Sequence, residues 1–332
     1  MDSFMALKMW RLVLTENTGD KLEVSSDRSE RCSRCMTNNI IKSRVAIGRT
    51  YNEGESGIAL KALLEEVAKV AKDLDAFLES VIEERIIRNK KEEYRKGEAK
   101  DFVDVLLEIQ NGKETGFTLQ RDSLKAILLD SFFAGTDATY IALEWTMTEL
   151  LKHPRVMKKL QDEVRQLAQG KAKITEDDLG NMQYLKAVIK ETLRLHPPVP
   201  LLAPRESMED VKLLDYHINA KTQVFINAWT IGRDPLWWDE LEKYQPERFL
   251  KNNIDVKGLN FELIPFGTGR RGCPGTYFSI MVNELALANL VYKFNFALPE
   301  GIMPENLDMT ECTGLNIRRK SPLLAVATPR SS

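Results

Sequence analysis

The sequence has few cysteines, little net charge and no long apolar run, and each shortage excludes a class of protein. Only 4 of its 332 residues are cysteine, and a chain of this length can fold on a buried core without disulfides, which fits a reducing compartment. It carries 47 Lys plus Arg against 49 Asp plus Glu, so no overall positive field predicts binding to nucleic acid. No window of 18 apolar residues occurs, so neither a membrane-spanning helix nor a signal peptide is predicted.

Proline is absent from the first 153 residues, and this absence separates two kinds of architecture. All 13 prolines lie at Pro154 or later, so the first part can form long helices whereas the remainder must turn often. Residues 58–96 have apolar positions at helical spacing and predict one or two amphipathic helices. Residues 119–152 predict a long helix of about 50 Å, capped by Thr118 and stopped by His153 and Pro154.

Shorter elements are predicted after the long helices. Residues 156–167 and Tyr184–Leu195 predict two more helices, the second preceded by a capping-box pattern that begins at Thr175. Alternating apolar runs between Val211 and Ile231 predict small strands, and residues 296–330 predict a loop with one or two strands. The predicted fold class is therefore mainly α with small β-sheets.

The segment Phe266–Gly275, FGTGRRGCPG, carries the strongest sign of chemistry. Its lone cysteine, Cys273, precedes a helical pattern, where the helix dipole and neighbouring cations favour a thiolate. Cys273 is therefore a candidate metal ligand or nucleophile. The glycines would let the backbone approach a flat, bulky group closely, and Arg270 and Arg271 can pair with carboxylates on that group. A cysteine that only packs in a glycine-rich turn is the structural alternative.

Two other functions of this segment are weaker in its context. Gly267, Gly269 and Gly272 spell the dinucleotide-binding pattern G-x-G-x-x-G after a predicted strand, Phe261–Pro265. That motif needs an acidic residue about 20 positions further on, and none stands there. A nucleophilic cysteine needs a histidine base, and the three histidines show no recognisable pairing pattern. They are His153, His196 and His217.

Three further features carry little weight alone. Cys32 and Cys35 have zinc or redox spacing but no second ligand pair, so a structural role is preferred. Gly135 stands inside the long helix at a cost of about 1 kcal/mol relative to Ala, which indicates either a tolerated kink or a functional site. Glu191 and Arg194 stand at i and i+3 on one helix, where an exposed pair contributes about 0.3 kcal/mol.

Together these segments resemble the cytochrome P450 family of haem-thiolate monooxygenases, most closely its plant microsomal A-type members. Four motifs stand in the family's order: AGTDAT at Ala134–Thr139, ETLR at Glu191–Arg194, PERF at Pro246–Phe249, and FGTGRRGCPG. The last fits the family's F-x-x-G-x-R-x-C-x-G pattern in every fixed position. The resemblance covers about residue 30 to the C-terminus and implies the cytochrome P450 fold.

The resemblance assigns cofactor-binding residues. It implies that Cys273 is the axial thiolate ligand of a haem b iron and that Arg271 and Arg205 bind the propionates. Phe266 would shield the sulfur, and Gly275 would let the following helix pass under the porphyrin. The complete set implied for the cofactor is Cys273, Phe266, Gly267, Arg271, Gly275, Arg205 and Ala134.

The resemblance also assigns catalytic roles on the long helix. Gly135 would make room for oxygen and Asp137 would relay protons. The family commonly has a threonine after this acid, whereas this chain has Ala138 followed by Thr139. Since neighbouring residues on a helix are turned by about 100°, Thr139 need not supply the missing hydroxyl, and partial uncoupling with loss of peroxide is predicted.

A structural triad and substrate-contacting positions complete the implied assignments. The triad would be a buried network whose role is folding, and removal of one partner would cost roughly 3 to 5 kcal/mol. Its members are Glu191, Arg194 and Arg248. The implied substrate contacts are Ala134, Thr139, Val199, Leu201, Leu202, Gly314 and Leu315.

Larger departures concern segments that the family has and this sequence lacks. We find no membrane anchor, proline-rich hinge or complete W-R-x-x-R segment, since Trp10 begins one but Leu14 stands where the second arginine belongs. The sequence near Val67 also looks short for the segment that roofs the substrate pocket. We therefore interpret residues 1–30 as an atypical N-terminal segment and residues 31–332 as a partial cytochrome P450 domain in a truncated chain.

The function implied is hydroxylation of a small apolar plant secondary metabolite with O2 and NADPH. Electrons would pass through a separate flavoprotein, NADPH-cytochrome reductase. Full-length relatives would lie at the cytosolic face of the endoplasmic reticulum membrane, whereas this chain would be soluble or peripheral and monomeric, without a nucleic-acid partner. The alternative is a non-catalytic fragment with weak or no haem binding, which is favoured for the isolated polypeptide. A structural or partner-binding module is a third class.

Overall fold

A computed structural model describes residues 55–90, 100–112, 119–312 and 314–330 of the chain. The described residues form two compact units, one that ends at Thr136 and one that begins at Asp137. The atypical segment 1–30, the Cys32–Cys35 pair and the cap at Thr118 lie outside the described residues and stay predictions.

The first unit is built from helices around a small apolar core. Helix α1 covers Glu55–Lys90, α2 covers Phe102–Asn111, and α3, Arg121–Lys152, contributes its first half. The sequence allowed one or two helices in the first run, and one is present. A capping box at Asp101 begins α2, because its side chain accepts the Asp104 N–H while the Asp104 side chain accepts the Asp101 N–H. The core residues are Ile82, Leu106, Leu107, Leu119 and Leu124.

The long helix α3 is continuous from Arg121 to Lys152, as the sequence predicted for its C-terminal end. It passes through Gly135 without a break, and a Cβ atom at that position would meet no described atom within 4 Å beyond the neighbouring turns of its own helix. The prediction of no membrane-spanning stretch needs one qualification. Among the described residues, α3 is long and apolar enough to cross a membrane by length and composition, with a mean hydropathy of 1.2 over its most apolar 18 residues.

The second unit packs the rest of α3 against three further helices. They are α4 (Pro154–Leu167), α5 (Gln183–Leu195) and, after the short α6 (Ala228–Ile231), the long α7 (Thr276–Lys293). Glu163 on α4 caps α5, because its carboxylate accepts the backbone N–H groups of Tyr184 at 2.8 Å and Leu185 at 2.9 Å. The centre of the core includes Leu150, Leu160, Val164, Met182, Leu185, Val188, Leu287, Ala288 and Val291.

The capping box predicted at Thr175 forms and precedes α5, as the sequence predicted. It caps a short 3-10 helix, Glu176–Asn181, which the sequence did not predict, and α5 begins separately at Gln183 after Met182.

Sheet is a minor component, as predicted, and the described part of the chain forms four two-stranded antiparallel sheets. The pairs are β1 (Arg205–Glu206) with β4 (Gln223–Val224), β2 (Val211–Leu213) with β3 (Tyr216–Ile218), β5 (Phe294–Ala297) with β8 (Val326–Pro329), and β6 (Glu311–Cys312) with β7 (Arg318–Arg319). Three strands begin within 296–330, so the prediction of one or two was too low.

The prediction of a strand at Phe261–Pro265 is wrong. Leu263, Ile264 and Pro265 are buried one after another, and the backbone turns there, with Gly267 N–H donating to the Ile264 carbonyl at 2.9 Å. Pro265 has no N–H to offer a strand partner, so the run fills the core as a turn instead. Without this strand, the dinucleotide-binding interpretation loses its remaining structural support.

Candidate functional site

The loop Phe266–Gly275 is shaped by glycines and by one cross-loop hydrogen bond. Gly267 and Gly269 have φ angles of +69° and +71°, a region that favours glycine. The Cys273 N–H donates to the Phe266 carbonyl at 2.9 Å and closes the loop. These residues therefore hold the cysteine at one fixed place in the backbone.

The thiol of Cys273 is presented at the start of α7. Gly275 is the N-cap of this 18-residue helix, and the Thr276 hydroxyl donates to the Cys273 carbonyl at 2.9 Å. Cys273 is exposed, and a Cβ at Gly275 would lie 3.8 Å from its sulfur. The positive end of the helix dipole and an accessible sulfur suit a thiolate that binds a metal ion from outside the loop.

A positively charged side chain that could bind a carboxylate lies beside the loop. Arg205, on β1, donates from Nη2 to the Arg271 carbonyl at 3.4 Å, while its Nε is buried and has no hydrogen-bond partner among the described residues. A Cβ at Gly267 would lie 3.6 Å from the same Nη2 and 3.5 Å from Leu202. An orphaned guanidinium N–H next to a glycine cradle fits a group that brings its own carboxylate, as haem propionates do.

On α3, the acid and the hydroxyl of the AGTDAT motif point to different neighbours. The Asp137 carboxylate accepts a hydrogen bond from the Asn316 amide, in the segment between β6 and β7. The buried Thr139 hydroxyl lies 3.4 Å from the Ser279 hydroxyl on α7. The remaining predicted positions on this motif, Ala134 and Gly135, are exposed and half-buried respectively.

The predicted substrate segments are connected within the second unit. The Ile317 N–H, just after Gly314 and Leu315, donates to the Pro198 carbonyl at 2.9 Å, just before Val199. Leu202 is buried, whereas the nearby Leu201 and the partner segment's Leu315 are 46% and 40% exposed. The structure therefore brings these two segments together and leaves leucine side chains of both accessible. Their contact with substrate stays a prediction.

The Glu191, Arg194 and Arg248 side chains meet in a buried network. Arg194 donates from Nε to one Glu191 oxygen at 2.7 Å and from Nη2 to the other at 2.8 Å. The second oxygen also accepts from Arg248 Nε at 3.0 Å and from the Gln245 N–H at 2.8 Å. Glu191 and Arg194 are completely buried.

Arg194 also organises the chain that follows α6. Its Nη1 donates to the carbonyls of Gly232 at 2.8 Å and Leu241 at 2.7 Å, and its Nη2 donates to that of Lys243 at 3.2 Å. These bonds tie α5 to a stretch with little regular structure, which precedes the Cys273 loop in sequence. The network therefore fixes backbone rather than presenting groups to a ligand.

Comparison with known proteins decides the family. The family description Cytochrome P450 matches residues 25–325 of the chain. The chain belongs to the cytochrome P450 family. Cytochrome P450 71A4 and Cytochrome P450 71A2, both from Solanum melongena, are 65% identical over 328 residues and 66% identical over 324 residues. Norfluorocurarine oxidase from Strychnos is 44% identical over 361 residues. This protein is thus a plant A-type cytochrome P450.

The alignments cover most of this cytochrome P450 but only part of its relatives. The two Solanum proteins align with 90% and 89% of this chain, whereas the chain spans 65% and 64% of their lengths. A solved zebrafish cytochrome P450 with abiraterone superposes with a TM-score of 0.69 and 23% identity, covering 98% of this chain and 70% of the other. This likeness confirms the predicted fold.

Sequence reasoning on this cytochrome P450 missed a buried cluster around Glu149. Its carboxylate lies 2.7 Å from His196 Nε2 and 3.2 Å from His153 Nδ1, and the His196 ring stacks on Trp145 with centroids 4.0 Å apart. Burial alone would raise the pKa of Glu149, but the interactions of its carboxylate with the two histidines outweigh it and lower the pKa to about 2. The i, i+4 spacing of Glu149 and His153 was the one signal available in the sequence.

Two more results concern the weaker alternatives, a nucleophilic cysteine and a metal site built from several side chains. Two of the three histidines are held by Glu149, which gives them partners other than a nucleophile. Within the described ranges, no group of three or more His, Cys, Asp and Glu residues is arranged to hold a metal ion.

Proposed function

We propose that this cytochrome P450 is a haem-thiolate monooxygenase that uses O2 and NADPH to hydroxylate a small apolar plant secondary metabolite. The observation that carries the proposal is the accessible Cys273 thiol at the start of α7, beside the unpartnered Arg205 Nε. This combination supplies one thiolate for an iron and one buried donor for a carboxylate on the same flat group.

Haem b would be held by residues of the second unit. Cys273 would supply the axial sulfur, and Arg205 and Arg271 would pair with the propionates. Phe266 and Gly267 would limit the space around the sulfur, and Gly275 would leave room for the porphyrin. When bound, haem would supply the activation of dioxygen that no side chain of the protein can perform.

The chain's own residues would control protons, water and substrate. Asp137, held by Asn316, is the proposed carrier of protons, and Gly135 is proposed to leave space for oxygen. Thr139 is proposed to contribute less, because its hydroxyl lies against Ser279. Leu201 and Leu315 have accessible apolar side chains that would contact an apolar substrate and exclude water from it.

We propose a separate flavoprotein, NADPH-cytochrome reductase, as the electron-donating partner of a monomeric protein. For the full-length relatives we propose the cytosolic face of the endoplasmic reticulum membrane. Both proposals rest on membership of the plant A-type family.

A carbon monoxide difference spectrum tests the proposed function. The protein is reconstituted with haem, reduced with dithionite and exposed to carbon monoxide, and we expect a Soret band at the position of a thiolate ligand. Cys273→Ser should lose this band. Cys312→Ser is the matched control, since Cys312 lies in β6 and has no role in the proposed site.

The results of this experiment distinguish the haem-thiolate monooxygenase from the non-catalytic fragment. An unchanged thiolate band in Cys273→Ser would contradict the assignment of the axial ligand. Absence of haem uptake by the wild-type chain would support the alternative, a non-catalytic fragment with weak or no haem binding.

A further inference from the structure

The Asn316 side chain makes a contact that none of the family motifs includes. Its amide donates to the Asp137 carboxylate across 179 positions of sequence, and both side chains are half-buried. A hydrogen bond to a charged carboxylate is among the stronger ones in proteins. The acid of the AGTDAT motif is therefore anchored to a segment outside its own helix.

Thr139 does not share this contact. Two positions along a helix correspond to a rotation of about 200°, so Asp137 and Thr139 face nearly opposite sides of α3. The Thr139 hydroxyl accordingly meets Ser279 on α7, whereas the Asp137 carboxylate meets Asn316. The polar group beside the acid is thus an amide from another segment rather than a hydroxyl of the same helix.

The segment that carries Asn316 is fixed at its other positions. The Ile317 carbonyl accepts from Trp145 Nε1 at 3.2 Å, and the Ile317 N–H donates to Pro198 at 2.9 Å. Arg319 donates to the Thr148 hydroxyl at 2.9 Å. Asn316 therefore extends from a segment bound to α3 on its C-terminal side, while Gly314 and Leu315 precede it.

We propose that Asn316 is a positioning residue that holds the Asp137 carboxylate for proton transfer and couples it to the segment of Gly314 and Leu315. The proposal rests on the proposed monooxygenase function. Asp137 would accept a proton that solvent supplies and pass it on to dioxygen, while NADPH supplies the electrons through the reductase. A substrate that displaces Leu315 would move Asn316 and with it the acid.

Amide hydrogen exchange of the full chain tests the contact without haem or turnover. Loss of one charge-assisted hydrogen bond corresponds to roughly a tenfold increase in local opening. We expect exchange in residues 315–317 to rise about tenfold in both Asn316→Ala and Asp137→Ala, with no further increase in the double variant. Lys320→Ala is the matched control, because its exposed side chain lies on the same segment, and exchange there should stay at the wild-type rate.

A double variant in which Asp137 and Asn316 exchange side chains distinguishes a role in positioning the acid from a role in stabilising the fold. Asp137→Asn combined with Asn316→Asp keeps one amide and one carboxylate in contact but moves the acid from α3 to the loop. We expect this variant to regain the wild-type hydrogen exchange.

The same variants are then loaded with haem and supplied with reductase, NADPH and O2, without added organic substrate. One NADPH, one proton and one O2 then yield NADP+ and one hydrogen peroxide. NADPH consumption should be about tenfold slower than wild type in both Asn316→Ala and the exchanged pair, since a misplaced acid loses much of its effect.

Each result of these experiments either supports or overturns the positioning role of Asn316. Unchanged exchange in Asn316→Ala, or recovery of NADPH consumption in the exchanged pair, would overturn the positioning role. Failure of the wild-type chain to bind haem would overturn the proposed function and this role with it, whereas the exchange data would still establish whether the contact forms.

Discussion

Replacement of Glu191 by Gln gives the strongest test of the reasoning on buried charge. One Glu191 oxygen accepts three donors, from Arg194 Nη2, the Gln245 N–H and Arg248 Nε, and the other accepts one, from Arg194 Nε. Glutamine would keep its oxygen on the three donors. Its NH2 group would then face Arg194 Nε–H, where the carboxylate oxygen now lies 2.7 Å away.

The substitution therefore removes one hydrogen bond and leaves two guanidinium groups without their counter-charge. Because the Glu191 and Arg194 side chains are both 0% exposed, water cannot reach the Arg194 guanidinium to stabilise its unpaired charge. We expect the free energy of unfolding to fall by about 3 to 5 kcal/mol. Urea unfolding followed by tryptophan fluorescence measures this change, since Trp238 lies 5.2 Å from the Arg194 guanidinium.

Glu247→Gln is the matched control. Glu247 accepts from Arg155 at 2.7 Å, Lys159 at 3.2 Å and Tyr184 at 3.0 Å. Burial alone would raise the pKa of Glu247, but these hydrogen bonds outweigh it and lower the pKa to about 2. Its partners Arg155 and Lys159 are 66% and 46% exposed, however, so solvent screens the loss. We expect a decrease below about 1 kcal/mol. Equal losses in the two variants would refute the argument that burial, rather than the number of partners, sets the cost.

Three further predictions concern pH, packing and capping. Because the pKa of Glu149 is lowered to about 2, its contribution to stability should be complete above about pH 4.5 and disappear as pH falls toward 2. The free energy of unfolding of Glu149→Gln should therefore fall less steeply between pH 4.5 and 2 than that of the wild type. An unchanged pH dependence in this range would contradict the lowered pKa of Glu149. Gly232→Ala would place a Cβ 2.6 Å from the Arg194 carbonyl and should destabilise the protein by about 1 to 3 kcal/mol. Gly180→Ala should change the melting temperature little, because its Cβ would have no neighbouring atom of the described residues within 4 Å. Glu163→Ala should cost about 1 kcal/mol in urea unfolding through loss of the α5 cap, and a cost near zero would show that the cap is dispensable.

Local signals predicted the helices and the cysteine loop well. The absence of Gly and Pro from 58 to 96, and the stop at Pro154, are properties of neighbouring residues, and α1 and α3 follow them. The loop at Cys273 was recognisable because its glycines and cysteine are adjacent in sequence. These are cases in which the chain nearby determines the structure.

Contacts between distant segments could not be predicted in the same way. The Asn316–Asp137 pair is 179 residues apart, and nothing near either residue indicates the other. Glu163 caps α5 from a different helix, so no local capping residue marks that start. The run at Phe261–Pro265 failed for a related reason, since consecutive buried apolar residues give the same pattern in a strand and in a packed turn.

The dependence of α3 and β5 on residues 317–329 has a consequence for folding during synthesis. Trp145 and Glu144 complete their hydrogen bonds with Ile317 and Leu323, and β5 finds its partner only in β8, Val326–Pro329. The second unit therefore completes these contacts only after residues 317–329 have been synthesised. Until then, the unpaired edge of β5 is a surface that a chaperone would need to shield.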